Sequence, residues 1–259
     1  MNFFDRLRLA ITERQSHLCV GLDPDPERIS GGASGALKHC REVVRQTSDH
    51  VCCYKPNAAY WEQYGAAGWE ALAELRAIIP PGILLLYDAK RGDIGSTMRA
   101  YARSSFENLK MDAMTAQAYG GLDSLAEITT NPSRGIYIWC QSSNSGSADL
   151  QQRSLDGAPL WLRVAELAER ANRNGNIGLV ASATYPEQIS RLRAHTKLPF
   201  LIPGVGAQGG DLRASIVAAW SGDPASTLIP TSRAILYAEQ PGAAAAALQT
   251  SINEVINSL

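Results

Sequence analysis

The sequence predicts an α/β fold of the closed (β/α)8 class, a TIM barrel forming a single domain over 1–259 with one extra N-terminal helix. Two observations predict it. Short apolar runs alternate with longer amphipathic ones along the whole chain, a pattern that calls for parallel strands joined by right-handed crossovers. Charged and polar residues recur where the predicted strands end, and in a (β/α)8 barrel those ends meet at one mouth.

Taken in order, 1–15 reads as an amphipathic first helix, because Asp5, Arg6, Arg8, Glu13 and Arg14 interrupt any signal-peptide core. Strands are predicted over 17–22, 51–55, 82–88, 112–116, 135–140, 178–181, 199–202 and 226–229. Helical periodicity follows most of them, over 36–47, 68–79, 96–109, 159–172, 187–195, 211–220 and 242–258. Eight such units fit a chain of 259 residues. A doubly wound open sheet is the runner-up, but its G-x-G-x-x-G fingerprint after the first strand is absent. The polar, Ser-rich stretch 141–157 is longer than most connections and follows the fifth strand, which places it over the mouth as a candidate lid.

Composition narrows the function. A net charge of −1 with no basic run argues against nucleic acid or an acidic membrane surface as partner. No run approaches the roughly 20 apolar residues of a membrane span. The five cysteines, Cys19, Cys40, Cys52, Cys53 and Cys140, contain no C-x-x-C pair and read as reduced, mostly buried thiols of a cytoplasmic protein. His17, His39, His50 and His195 lack the spacing of a helical zinc site, and no metal or cofactor motif is visible.

Two constellations carry chemistry. The first is YDAKRGDIGST, which puts Asp88, Lys90, Arg91 and Asp93 directly after a buried apolar run. Residues two apart on a strand point the same way, so Asp88 and Lys90 share the mouth and Lys55 on the neighbouring strand reaches it. Arg91 points the other way by alternation and reads as a solvated or dimer-edge residue. Unit charges about 4 Å apart interact by roughly 4 kcal/mol at an effective dielectric of 20, so alternating signs keep the lysines protonated and the aspartates ionised. A structural ion-pair network is the plainer reading, but such networks are weak sources of stability. The second constellation is PGVGAQGG after the seventh strand, with four glycines in eight residues, opening onto a helix near Asp211. With Arg233 after the eighth strand and the Gln208 amide, it reads as a phosphate site.

DAKRGDIGST resembles the D-x-K-x-x-D signature of the orotidine 5′-phosphate decarboxylases. GLDPDPER, CYKPNAAYWEQYG, SSNSGSADLQ, GLVASATYPEQ, PGVGAQGGD and SRAILYA resemble the longer bacterial (type 2) subgroup of that family, over about 18–238. The resemblance implies cofactor-free, metal-free decarboxylation of a small-molecule nucleotide, orotidine 5′-monophosphate, in pyrimidine biosynthesis. It implies that Lys90 protonates C6, that Asp88 faces the substrate carboxylate, and that Lys55 and Asp93 complete the charge network. It implies that Asp23 and Lys55 bind the ribose, that Ser143 (or the adjacent Ser142) reads the pyrimidine, and that Pro203 walls the base. Gln208 and Arg233 match the phosphate ligands. Asp93 and Thr97 match residues that reach into a neighbouring subunit, so a homodimer with shared sites is expected.

Three positions depart from the family pattern. Gln117 stands in a run where Asn-Pro is expected, Ser145 replaces a loop proline, and Ser182 stands where glycine is expected. Two other readings compete: a magnesium-dependent phosphosugar decarboxylase of the related family, disfavoured by the Lys55 cation, and an idle nucleotide-binding barrel, disfavoured by the complete Lys/Asp set.

Overall fold

Eight parallel strands close into a ring in chain order, each hydrogen-bonded to its sequence neighbours and the last to the first. They are β1 (Leu18–Gly21), β2 (Cys53–Lys55), β3 (Leu84–Arg91), β4 (Ala113–Ala116), β5 (Gly135–Trp139), β6 (Ile177–Val180), β7 (Phe200–Leu201) and β8 (Thr227–Thr231). A computed structural model of the chain describes residues 1–205 and 209–259. Each predicted strand overlaps an observed one, and the eight predicted helices correspond to α1 (Phe3–Arg14), α2 (Gly32–Thr47), α4 (Ala66–Ile78), α5 (Gly95–Ala102), α7 (Leu160–Ala171), α8 (Pro186–His195), α9 (Leu212–Ala219) and α11 (Pro241–Asn257), while the short helices α3 (Ala58–Glu62), α6 (Ala126–Thr129) and α10 (Arg233–Leu236) are not among those predicted. The 141–157 stretch holds a short 3-10 turn, Ser145–Asp149, and one strand, Ser154–Leu155, of a two-stranded antiparallel ribbon completed by Ala158–Pro159.

Strand alternation divides the apolar residues into two cores. Leu18, Val20, Tyr54, Leu85, Tyr87, Met114, Ile136, Ile138 and Leu179 belong to the outer core, which they share with the helices. Cys19, Cys53, Leu84, Leu86, Ala113, Tyr137, Val180, Leu201 and Leu228 fill the inside of the ring, where Phe3, Phe4, Leu7 and Ile11 of α1 join them. The extra helix is therefore a plug for the N-terminal end of the barrel. Asn2 and Asp5 form its capping box, which satisfies two of the amides that a helix start leaves unpaired. Its charged residues tie it to the barrel floor: Arg6 pairs with Asp112 at 2.6 Å and Arg8 with Asp223 at 2.9 Å. Gly135 is required where Phe3 enters, because a Cβ there would lie 2.3 Å from the Phe3 ring.

All five cysteines are free and buried. His17, His39, His50 and His195 are hydrogen-bonded to Thr227 O, Leu236 O, Gln249 Oε1 and Arg191 O, so each has a structural partner. Among the described residues, no helix is long and apolar enough to cross a membrane.

Candidate active site

The inward-facing positions change character over one step of the strand repeat. Two residues beyond the apolar layer, Cys53 gives way to Lys55, Leu86 to Asp88, Ala113 to Thr115, Tyr137 to Trp139, Val180 to Ser182 and Leu201 to Pro203. All six of these successors line a cavity of about 540 Å³ at the C-terminal mouth, together with Asp23, Asn57, Ser142, Ser143, Ser232 and Arg233. That volume falls within the range of sites for small ligands, about 300–1,000 Å³.

Asp88 is the hub. Its Oδ2 accepts from Lys55 Nζ at 2.7 Å and from Asn57 Nδ2 at 3.5 Å. Its Oδ1 accepts from Lys90 Nζ at 2.6 Å and from Thr115 Oγ1 at 2.9 Å. Side-chain exposure rises from 8% at Lys55 and 12% at Asp88 to 33% at Lys90, so Lys90 is the cation that faces the open cavity. Burial alone would raise the Asp88 pKa, but the two lysines outweigh it and hold the carboxyl well below the usual range. Burial likewise works against the Lys55 charge, and the Asp88 and Asp23 carboxylates more than offset it, leaving its pKa above that of an ordinary lysine.

Asp88 and Lys90 face the mouth as alternation predicts, but the ladder around them is irregular. Tyr87 pairs with Met114 and Arg91 with Ala116, so residues 88–90 of β3 stand opposite Thr115 alone. β3 bulges there, and Lys90 adopts a left-handed conformation with φ of 46°. Arg91 is not a solvated residue. It pairs with Glu62 on α3, and its guanidinium lies 5.0 Å from the Tyr101 ring centroid on α5. Arg91 points away from the mouth, into the layer of helices that covers the outside of β3.

The remaining candidates fall around this hub. Asp23 accepts from the Asn57 amide at 3.0 Å and from Ser232 Oγ at 2.6 Å, beside the charge cluster. Gly21 makes room for that contact, since a Cβ on it would sit 1.8 Å from Ser232 Oγ. Ser142 is engaged by Gln151, which accepts from its amide and donates to its hydroxyl, both at 3.0 Å. Ser143 also lines the cavity, and its hydroxyl has no hydrogen bond among the described residues. Pro203 forms part of the wall, as expected. Gly204, Val205, Arg233 and Ala234 line one corner, and Arg233 has no ion-pair partner among the described residues. Gln208 lies outside the described residues. The α9 N-terminus does not line the cavity; the Asp211 carboxylate accepts the Ala214 amide there, which takes up one of the donors expected for an anion. Asp93 and Thr97 do not line the cavity of their own chain. Asp93 Oδ1 accepts the Ile94 amide at 2.7 Å, and Thr97 is exposed, so the cluster within one chain is Lys55, Asp88 and Lys90.

Several site residues carried no assigned role in the sequence reading. Thr115 binds Asp88, Asn57 bridges Asp23 and Asp88, and the Trp139 ring centroid lies 5.7 Å from Lys90 Nζ. The strand-end rule that found Lys55 and Asp88 reaches Thr115 and Trp139 when applied to strands four and five. Two buried atoms of cavity residues, Gln141 Oε1 and Thr231 Oγ1, have no partner among the described residues. Of the departures, Gln117 accepts the Tyr119 amide at 3.0 Å and packs on Gly92, while Ser182 donates to Thr184 Oγ1 at 3.0 Å.

A Lys–Asp–Lys cluster that shares its cavity with Arg233, at the C-terminal mouth of a (β/α)8 barrel, is the layout of a barrel enzyme whose chemistry is carried by side-chain charge. Comparison with known proteins narrows the class. The model of the Orotidine 5′-phosphate decarboxylase / HUMPS family matches residues 16–248, and the chain belongs to that family. It is 47% identical to the orotidine 5′-phosphate decarboxylase of Roseiflexus castenholzii over 98% of this chain and 96% of that one. It is 46% identical to that of Herpetosiphon aurantiacus over 91% and 90%. Among solved structures, OMP decarboxylase of Leishmania donovani superposes with a TM-score of 0.92 at 42% identity, over 98% of this chain and 99% of that one.

Proposed function

We propose that this chain decarboxylates orotidine 5′-monophosphate to uridine 5′-monophosphate in pyrimidine biosynthesis, and that it does so without a metal or organic cofactor. The observation that carries the reading is the single Asp88 carboxylate shared by Lys55 and Lys90 at the mouth of a barrel of this family. The substrate carboxylate sits against Asp88, and its C–C bond to C6 breaks. The electron pair stays on C6 and CO2 leaves. Lys90 Nζ–H stabilises the developing charge and then delivers its proton to C6, becoming a neutral amine that is reprotonated from solvent. Arg233 holds the phosphate far from the breaking bond, so its binding energy can be used to close loops over the site. Asp23 and Lys55 hold the ribose, and Ser143, unlike Ser142, has a hydroxyl that no described residue engages and that is open to the pyrimidine.

Asp93 and Thr97, outside their own cavity, support a homodimer in which each chain completes the site of the other. Residues 1–259 work as one catalytic unit, and the free thiols support a cytoplasmic setting, which cell fractionation would check. The test is loss of substrate absorbance with EDTA present. Wild type should turn over, and Lys90→Ala should lose about 10²–10⁴-fold or more in kcat. Mixing Lys90→Ala with Asp93→Ala should restore activity through hybrid dimers. Turnover abolished by EDTA would favour a metal-dependent reaction instead, and no recovery on mixing would overturn the shared site.

A further inference from the structure

The β3 bulge creates a problem that one hydroxyl solves. Where residues 88–90 stand opposite Thr115 alone, the Lys90 amide has no strand carbonyl to meet, and its left-handed φ of 46° is one that a side-chain-bearing residue rarely adopts. Thr115 Oγ1 accepts that amide at 2.9 Å. The same oxygen donates its proton to Asp88 Oδ1 at 2.9 Å, the carboxylate oxygen that also receives Lys90 Nζ at 2.6 Å. A hydroxyl has one proton to give and lone pairs to receive, so both roles are fixed. Thr115 is 1% exposed.

We infer that Thr115 is a positioning residue for the decarboxylation: its hydroxyl locks the Lys90 backbone and the Asp88 carboxylate together, aiming the Lys90 ammonium at the reacting carbon. This role rests on the function proposed above. On the other carboxylate oxygen, Lys55 and Asn57 hold Asp88 from β2 and the residues after it, which leaves Thr115 as the only described side chain other than Lys90 bound to Oδ1. Without the Thr115 hydroxyl the Lys90 amide is orphaned, the bulge relaxes, and the ammonium loses its aim. Contacts to the phosphate corner at Gly204 and Arg233 are untouched, so the loss falls on the chemical step.

The experiment uses the full chain. Thr115→Val removes the hydroxyl at nearly constant volume, and Thr115→Ser keeps the hydroxyl and removes the methyl. Thr115→Val should lower kcat about 10- to 100-fold. Its KM, and its Kd for uridine 5′-monophosphate by calorimetry, should stay within about threefold of wild type. Thr115→Ser should recover kcat to within a few-fold of wild type. A Thr115→Val enzyme with wild-type kcat overturns the role, as does a Thr115→Ser enzyme as impaired as Thr115→Val, since the methyl packing would then be what matters. If Thr115→Val does not fold, Thr115→Ala takes its place; if every hydroxyl-free variant unfolds, Thr115 is structural and the role fails. Absence of wild-type turnover overturns the function itself, and the role with it. Wild-type turnover with an unaffected valine variant overturns the role alone.

Discussion

The two ends of the barrel are built from the same eight strands and could hardly differ more in chemistry. At the N-terminal end the inward positions are Cys19, Cys53, Leu86, Ala113 and Tyr137, closed off by Phe3 and Phe4. The Phe3 and Phe4 ring centroids lie 6.3 Å and 5.5 Å from that of Tyr137, both edge-on. One strand repeat higher, the inward positions carry Lys55, Asp88, Thr115 and Trp139 around an open cavity. The closed end contributes apolar burial, and the open end holds charges whose attraction is largely offset by desolvation. The difference teaches that stability and chemistry are separated along the barrel axis, so each can be changed with little effect on the other.

The largest expected effect breaks the closed end alone. Phe3→Ala should cost about 3–5 kcal/mol of unfolding free energy, the usual range for emptying a buried phenylalanine site. At temperatures where the variant stays folded, kcat/KM should be unchanged; a large loss of activity would show that the plug and the mouth are coupled. Arg233→Ala makes the opposite cut. Each hydrogen bond to a charged group is worth about 1.5–3 kcal/mol, so loss of the two-bond fork should lower kcat/KM by about 10²- to 10⁴-fold. Its unfolding midpoint should barely move, because Arg233 is exposed and has no ion-pair partner among the described residues. Similar kcat/KM values for variant and wild type would remove Arg233 from the phosphate site.

The smallest effect sharpens the comparison by pH. Asp88 has a folded pKa below its unfolded value of about 3.9, because Lys55 and Lys90 outweigh the opposing effect of burial. Its contribution to stability is therefore fully present above about pH 4 and is lost as the pH falls toward the folded pKa. Lys55 runs the other way: its raised pKa gives stability that is present below about 10.4 and lost at higher pH. The gap in urea midpoint between wild type and Asp88→Asn should be the same at pH 7 and pH 5 and narrower at pH 3. A constant gap across the series would mean that Asp88 acts through packing rather than charge.

Much of the barrel was legible in the chain. The eight strands were found because an apolar run of the correct length is a local property, and their polar ends followed from the rule that strand ends share a mouth. Lys55, Asp88 and Lys90 came together as expected. Arg91 points away from the mouth as alternation predicts, but its surroundings were misjudged, because the outer face of the strand is covered there by α3 and α5 rather than by solvent. Of the residues read as a phosphate site, Gly204 and Arg233 line the cavity, whereas the α9 N-terminus does not and its Ala214 amide is bound by Asp211. Ser142 and Ser143 were indistinguishable by sequence because what separates them is a contact to Gln151 on a folded loop.

By itself the sequence determined the strand count, the apolar strand runs, the charged strand ends and the family, since each is carried by residue type and short-range spacing. Only the tertiary structure decided which charges share a carboxylate, which hydroxyl holds Lys90, and what plugs the floor. Those contacts join residues far apart in the chain: Asp88 meets Thr115 across 27 positions and Lys55 across 33, and Asp23 meets Ser232 across 209. They exist because the barrel closes with one particular register and one bulge, and no local pattern in a strand encodes the position of its neighbour.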